Sequence, residues 1–265
     1  MPTLEPERWL QWNVQLDRSR ASAESSARAV FEALRPLLRE WKRKHSLRWF
    51  FFMRKRPDMR LRFCGPDVRR QLNRKLSSVL DSLVSTRIVR RVFESVYEPE
   101  TRVFGGPQAM RLVHAYFHAD AAAWMELDRL AQSASRVVSS EHLAAGVLND
   151  LFFRTLEDRN EVWDVWSNLS AGSPRNENDQ APAFDIAGLL SQDLTPAEAR
   201  VLKRYNRANQ VLAKGLCRLW AEGALSRGLR AILTSIAVFH FNRHGLPPCW
   251  SIAIARNIRD RLAGF

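Results

Sequence analysis

The change from mixed to purely helical periodicity near residue 105 constrains the fold of this chain most. Before that point, stretches in which apolar and polar residues alternate are separated by stretches whose apolar residues recur three and four positions apart. The first pattern is typical of half-buried strands and the second of amphipathic helices. In chain order they predict a βαββαβ arrangement, which is that of ferredoxin-like folds, with strands or helices over residues 9–16, 21–44, 47–54, 58–64, 67–84 and 87–97.

Beyond this point the apolar spacing is helical throughout. It predicts helices over residues 107–134, 141–158, 160–168, 196–222, 228–244 and 248–262. Residues 170–183 are polar and contain Gly and Pro, which favours an exposed loop. We therefore expect an α+β fold, in which a ferredoxin-like antiparallel sheet subdomain (1–105) and a helical subdomain (106–265) pack as one compact unit. Pro36 should kink or break the first helix.

Several broad classes of protein are disfavoured by composition. A run of about 18 apolar residues, as a membrane-spanning helix needs, does not occur, and the acidic N-terminus lacks the apolar core of a signal peptide. We accordingly expect a cytoplasmic protein without a membrane partner. The spacing of Cys64, Cys217 and Cys249 matches neither a disulfide framework nor a zinc motif, so we expect reduced thiols and no metal.

The formal net charge is +13, and most of the cations are arginines. A strongly basic chain suits nucleic acids, but it equally suits acidic peptides. Charge alone does not decide between these partners, although arginine is favoured where carboxylates or phosphates are held by two hydrogen bonds.

Arg60 and Arg62 form the first candidate site. Two residues apart on a strand, they project from one sheet face about 7 Å apart, opposite Met59 and Phe63. If Met59 and Phe63 meet the two sheet helices, the arginines face the helical subdomain, where cations need anionic partners. Those partners are either acidic side chains of the protein or a carboxylate of a bound molecule, and the sequence leaves both open.

A second candidate is the turn that precedes the helical region, Tyr97-Glu98-Pro99-Glu100-Thr101-Arg102-Val103-Phe104-Gly105-Gly106. Consecutive glycines before a helix permit close backbone approach and leave N–H groups of the helix N-terminus for an anion. Taken alone, such a turn is more often only a connection.

Two histidine pairs offer further candidates. On the predicted helix 228–244, His240 shares a face with Arg243 and His244, and its imidazole suits acid–base chemistry near neutral pH. A purely structural histidine is an equally good interpretation. His114 and His118, with Asp120 nearby, are spaced as metal ligands, but no third ligand follows at a persuasive spacing.

Four segments, residues 56–63, 97–106, 116–120 and 239–246, extend over nearly the whole chain. Together they resemble the thiopeptide-type bacteriocin biosynthesis domain, the C-terminal elimination domain of class I lantibiotic dehydratases, which is also found as a separate chain. The resemblance implies an enzyme that modifies a ribosomally made precursor peptide without a metal or redox cofactor, working with a separate glutamylating dehydratase chain.

Two activities follow from this resemblance. The first is elimination of glutamate from glutamylated Ser or Thr to give dehydroamino acids. The second is the pyridine-forming [4+2] cyclisation of thiopeptides, which expels the leader peptide. A third alternative is a non-catalytic module that binds peptide or nucleic acid, and the absence of an RNA-binding aromatic motif disfavours nucleic acid.

The resemblance also implies roles for particular residues. Arg60 and Arg62 match the family's Arg-x-Arg strand, which holds the departing glutamate carboxylates, and His240 is the candidate acid or base. Residues of the same motifs are candidates for substrate binding, namely Tyr97, Glu100, Arg102, Asn242 and Arg243.

The chain departs from the elimination pattern at two positions. Val103 stands where that pattern has Arg, and Val238 stands where it has His. Both departures favour the cyclisation, whereas the retained Arg60 and Arg62 favour elimination. For the leader segment of the precursor, strand 9–16 and loop 170–183 are the expected flanks, because an extended peptide can add to a sheet edge.

Overall fold

A computed structural model describes residues 9–19, 22–66, 68, 72–132, 138–171 and 194–264 of the chain. The polypeptide divides into two compact units, residues 1–98 and 99–265. The first unit contains an antiparallel sheet and two helices, and the second is helical. The α+β prediction is thereby confirmed, and among the described residues no helix combines the length and apolar character needed to span a membrane.

The sheet of the first unit has the strand order β2-β3-β1-β4, with antiparallel neighbours throughout. This is the predicted βαββαβ arrangement. Its elements are β1 (Trp9–Leu16), α1 (Ala23–Arg43), β2 (Trp49–Met53), β3 (Met59–Cys64), α2 (Asn73–Ser85) and β4 (Val89–Ser95).

One sheet face meets the two helices. The Phe52 ring lies 4.5 Å from that of Phe31 on α1, and the Trp12 indole N–H donates to Asn73 on α2 at 3.0 Å. Since alternate residues of a strand point to opposite faces, Met59, Leu61 and Phe63 lie on this apolar face and are buried. Arg60 and Arg62 therefore project from the other face, as predicted.

The sequence prediction differs from the structure at the leader-binding flanks. Of the kink or break expected at Pro36, the break does not occur: helix α1 continues through the proline, with Phe31 before it and Trp41 after it both in contact with rings of the sheet. Strand β1 is paired with both β3 and β4, so its backbone groups are already used and it cannot accept another strand. The proposed flank at β1 is therefore wrong, and most of the second flank, loop 170–183, lies outside the described residues.

Element boundaries shift by a few residues for local reasons. Strand β4 begins at Val89 rather than residue 87, because Arg87 has a left-handed backbone (φ 58°) that ends the turn after α2. The predicted helix 67–84 is described as a helix from Asn73 onward, and residues 67 and 69–71 lie outside the described part.

The second unit contains the predicted helices within a few residues of their expected bounds. They are α3 (Pro107–Gln132), α4 (Ser140–Leu156), α5 (Arg159–Ser170), α6 (Pro196–Ala221), α7 (Leu229–His244) and α8 (Pro248–Ala263). The start of α6 is fixed by a capping box, in which the Thr195 hydroxyl accepts from the Glu198 N–H and the Glu198 carboxylate accepts from the Thr195 N–H. Gly245, with a left-handed backbone, ends α7.

Candidate functional site

Arg62 is held on the sheet face that carries no helix of the first unit. Only 4% of its surface is exposed, and its Nε donates to Oε1 of Gln11 at 2.8 Å. The guanidinium carbon lies 4.1 Å from the centre of the Tyr97 ring and 5.2 Å from that of Phe51. Aromatic faces attract a cation, so these contacts fix the orientation of the charged group. Two predicted site residues, Arg62 and Tyr97, are thus in contact.

Arg60 lies beside Arg62 on the same face but is only half-buried. Its Nε donates to the carbonyl oxygen of Arg56 at 3.0 Å. Among the described residues, no carboxylate lies within ion-pair distance of Arg60. The positive charge of this side chain is therefore not neutralised within the part of the chain that the structure describes.

Polar side chains of β1 and β4 complete this face, and sequence reasoning missed them. Gln11 pairs in register with Arg62, and Asn13 with Arg60. The amide nitrogens of Gln11 and Asn13 donate to the Ser95 hydroxyl at 2.6 and 2.7 Å. The signal was present in β1, whose polar residues alternate with its apolar ones and so must lie opposite the core. We refer to Gln11, Asn13, Arg60, Arg62 and Ser95 as the arginine face.

The Gly-Gly turn belongs to the helical unit and has a well-defined backbone. Gly105 and Gly106 have φ of 84° and 113°, and a Cβ on Gly105 would lie 2.7 Å from Ile232 Cδ1. The Gly106 N–H donates to the Thr101 carbonyl at 2.9 Å, so this N–H is not available to the predicted anion. In the same turn Arg102 is exposed and Glu100 is half-buried.

A buried charged cluster lies within the helical unit and is centred on Asp120 of α3. Nε of Arg243 donates to Oδ2 at 2.6 Å, and Nδ1 of His240 lies 3.0 Å from Oδ1. The Tyr205 hydroxyl donates to Oδ1 at 2.8 Å and lies 3.2 Å from Nε2 of His244. These residues are at least nine-tenths buried. Two predicted site residues, His240 and Arg243, therefore meet at a carboxylate.

The charges within this cluster shift the pKa values of its members. Burial alone would raise the pKa of Asp120, but the positive charge of Arg243, followed by contributions from both histidines, holds that pKa well below its usual range. Burial, followed by the charge of His240, lowers the pKa of His244 from 6.5 to about 4, although Asp120 opposes the shift. Burial likewise raises the pKa of Tyr205 well above its usual value. Near neutral pH the cluster therefore contains an ionised Asp120 and a neutral His244.

Asp120, His240 and His244 also have the composition of a metal site, since one ligand atom of each lies within 4.8 Å of the others. This trio differs from the His114 and His118 pair that the sequence suggested. Arg243 already neutralises the single carboxylate, and a second cation at Oδ1 would be repelled by its guanidinium. The charge balance thus favours an ion-pair network over a metal centre.

Asn242, the remaining predicted site residue, lies on α7 and is half-buried. Val238, which stands where the elimination pattern has His, is 55% exposed, whereas His240 has no exposed surface. The two positions point to different sides of the helix because residues two apart are separated by about 200° around its axis. His240 therefore does not occupy the place of the histidine that Val238 replaces.

Comparison with known proteins places these features in a family. The model of the lantibiotic biosynthesis dehydratase C-terminal family matches residues 9–255. Among solved structures, the chain is similar to the tRNA-dependent lantibiotic dehydratase MibB from Microbispora sp. 107891, with 15% identity and a TM-score of 0.68. The match covers 98% of this chain and 29% of MibB, and at this identity it shows the fold alone. No protein of curated function matched the chain. The family model covers nearly the whole chain, which therefore belongs to the lantibiotic biosynthesis dehydratase C-terminal family.

Proposed function

We propose that the protein eliminates glutamate from glutamylated Ser or Thr residues of a ribosomally made precursor peptide. The observation that carries this proposal is the arginine face, where Arg62 is fixed by Gln11 and Tyr97 and the neighbouring Arg60 has no carboxylate partner among the described residues. A half-buried guanidinium without a counter-charge is suited to bind a carboxylate in two-pronged geometry. The two carboxylates of a departing glutamate provide such ligands.

The reaction sets requirements for the site. A base removes the α-proton, the Cβ–O bond to the glutamyl ester breaks, and the carboxylate of glutamate leaves with the bonding electrons. The products are glutamate and a dehydroalanine or dehydrobutyrine residue, and no oxidant or metal is required. Arginines that stabilise the leaving carboxylate lower the barrier to its departure.

His240 is the candidate base, and the orientation of its imidazole ring is consistent with that role. Asp120 lies on the Nδ1 side of the imidazole at 3.0 Å, whereas Nε2 has no hydrogen-bond partner among the described residues. Nε2 is therefore the atom that would accept a proton. Since His240 has no exposed surface, catalysis through it requires the helical unit to open when the substrate binds.

A specific observation favours the pyridine-forming cyclisation as the second candidate. The exposed position on α7 that the elimination pattern fills with His carries Val238, and Val103 replaces the Arg of the turn. A cyclase mainly positions two dehydroalanines, so it depends less on an exposed acid or base. In either case the partner is a precursor peptide with a leader segment, and for elimination a separate dehydratase chain supplies its glutamylated form.

Incubation with a glutamylated precursor peptide, followed by mass spectrometry, tests the proposal. We expect loss of one glutamic acid per modified residue. Arg60→Gln and Arg62→Gln should each slow turnover about 10²–10³-fold, as expected when a donor to developing negative charge is removed. The control variant Arg39→Gln, on the exposed side of α1, should retain full activity.

A parallel incubation with a peptide that carries two dehydroalanines and azoles tests the second candidate. Formation of a pyridine with release of the leader, without any elimination in the first incubation, would replace the first proposal by the second. Inactivity toward both peptides would overturn both.

A further inference from the structure

The two edges of the sheet differ in accessibility. At one edge every residue of β2 is buried. At the other edge Val89 of β4 is buried, but the six residues that follow it are exposed or half-buried. Edge strands offer unpaired N–H and C=O groups to another strand. Within the described sheet, β4 is thus the edge at which a further strand can pair.

The side chains of β4 give this edge a positive charge. Arg90 and Arg91 are exposed, and the Arg91 guanidinium lies 5.2 Å from the centre of the Phe93 ring. The single acidic residue of the strand, Glu94, accepts from the Asn73 amide of α2 at 2.7 Å, so its carboxylate is turned toward the helix side of the sheet. Residues 1–98 contain 22 Lys and Arg against 11 Asp and Glu, a net charge of +11 out of the total of +13.

From these observations we infer that an extended acidic segment of the substrate peptide pairs with β4 as a fifth strand. The inference rests on the proposed peptide-tailoring function and assigns the docking surface that this function needs. Backbone hydrogen bonds provide affinity in this mode of recognition, and the arginines select acidic side chains. A peptide meets both requirements, whereas the sugar–phosphate backbone of a nucleic acid has no N–H and C=O groups to pair with the strand.

Docking at β4 also relates the peptide to the arginine face. Strands of a sheet lie about 4.8 Å apart, so a fifth strand would lie about 14 Å from β3 and its arginines. At about 3.3 Å per residue, four or five residues of the same peptide span that distance. The segment bound at β4 therefore lies close in sequence to the residue that is modified.

Binding can be measured without any turnover. The probe is a fluorescent seven-residue peptide of alternating Glu and Val, matched in length to β4, and its anisotropy is recorded with the full chain. We expect saturable binding that weakens with salt, together with slower hydrogen exchange of β4 amides in the complex. Methylation of the backbone nitrogens of two consecutive central residues blocks both edges of the peptide, and we expect it to weaken binding at least tenfold.

Charge reversal at the edge provides the second arm. The double variant Arg90→Glu/Arg91→Glu should weaken binding of the Glu-Val probe about tenfold or more. The matched control, Lys42→Glu/Arg43→Glu at the exposed end of α1, changes the net charge equally and should weaken binding less than threefold. A Lys-Val peptide should not bind.

Three results would overturn the inference. The N-methylated peptide could bind as tightly as the unmethylated one, or both charge variants could lose the same binding affinity. Alternatively, a single-stranded oligonucleotide could displace the probe from the wild-type chain but bind poorly to the Arg90→Glu/Arg91→Glu variant. Because the assay measures binding alone, failure of elimination with intact probe binding refutes the proposed reaction but not the docking surface.

Discussion

Arg243 of the helical unit and Arg60 of the sheet unit differ in how their charges are compensated. In the helical unit, Arg243 has no exposed surface and is held by Asp120 at 2.6 Å. In the sheet unit, Arg60 is half-buried and bonds to a backbone carbonyl, with no carboxylate partner among the described residues. The sheet unit has a net charge of +11, whereas the helical unit has 19 Lys and Arg against 17 Asp and Glu. Arg243 is thus neutralised within its own unit, whereas Arg60 has no acidic partner among the described residues and lies in a unit with a large excess of positive charge.

This difference separates an arginine that is paired inside the fold from one that the proposed function assigns to ligand binding. A buried arginine must be paired, and loss of its partner leaves an uncompensated charge in a medium of low polarity. A half-exposed arginine is solvated on one side, so its loss costs the fold little while its availability serves binding. Substitutions in the two units should therefore have very different effects on stability.

The largest effect on stability is expected for Asp120→Asn. The substitution keeps the shape of the side chain but leaves Arg243 without its counter-charge, so we expect the free energy of unfolding to fall by about 3–5 kcal/mol. Urea denaturation followed by circular dichroism measures this change. Asp128→Asn on the same helix should change it by less than about 0.5 kcal/mol.

A double variant identifies the cause of the Asp120→Asn effect. If the uncompensated charge of Arg243 is responsible, Asp120→Asn/Arg243→Met should be more stable than Asp120→Asn alone. Equal stability of the single and double variants would contradict the assigned role of this ion pair.

Acidification should affect the helical unit next. His244 faces His240, Asp120 and Tyr205, with Arg243 nearby, and its pKa falls from 6.5 to about 4 on folding. Above pH 6.5 His244 is neutral in both the folded and the unfolded chain, so its protonation does not reduce the free energy of unfolding. Between pH 6.5 and 4 the unfolded chain binds a proton that the folded chain does not, and stability falls by roughly 3 kcal/mol. Below about pH 4 the lowered pKa of Asp120 causes a further loss, as the unfolded carboxyl becomes protonated.

Urea denaturation at a series of pH values separates the two steps. His244→Gln should abolish the pH dependence that arises between pH 6.5 and 4, and it should retain the step below pH 4. The exposed His45 provides the control, since His45→Gln should retain both steps. A profile that His244→Gln leaves unchanged would show that this histidine does not cause the first loss.

Sequence periodicity predicted the elements of both units because strands and helices have different, local repeats. Alternation in Met59–Cys64 even placed Arg60 and Arg62 on the face away from the helices. Periodicity does not show which strands are neighbours, so the expectation that β1 offers a free edge fails: this strand lies between β3 and β4. The same limit hid Gln11 and Asn13, which join the arginine face only through pairing with β3.

The buried cluster could be predicted only in part. His240, Arg243 and His244 share one face of a helix, which suggests a common partner, but that partner lies 123 residues from Arg243 along the chain. One signal was available: Asp120 is an acidic residue at a position of α3 whose periodicity is otherwise apolar and buried. A carboxylate in such a position requires a cationic partner, but the sequence does not show which cation lies beside it, because that depends on how the helices pack.

The smallest effect on stability is expected for Arg60→Gln in the sheet unit. Glutamine retains a polar side chain that can donate to the Arg56 carbonyl, and its introduction leaves no carboxylate unpaired among the described residues. We therefore expect the free energy of unfolding to change by less than about 0.5 kcal/mol, while turnover of a glutamylated peptide falls about 10²–10³-fold. The two measurements on one variant separate binding from folding. A loss of stability close to that of Asp120→Asn would show that the fold needs the charge of Arg60 for its own stability. The contrast between Arg60 and Arg243 would then disappear, because a charge that stabilises the fold is not free to bind a substrate carboxylate.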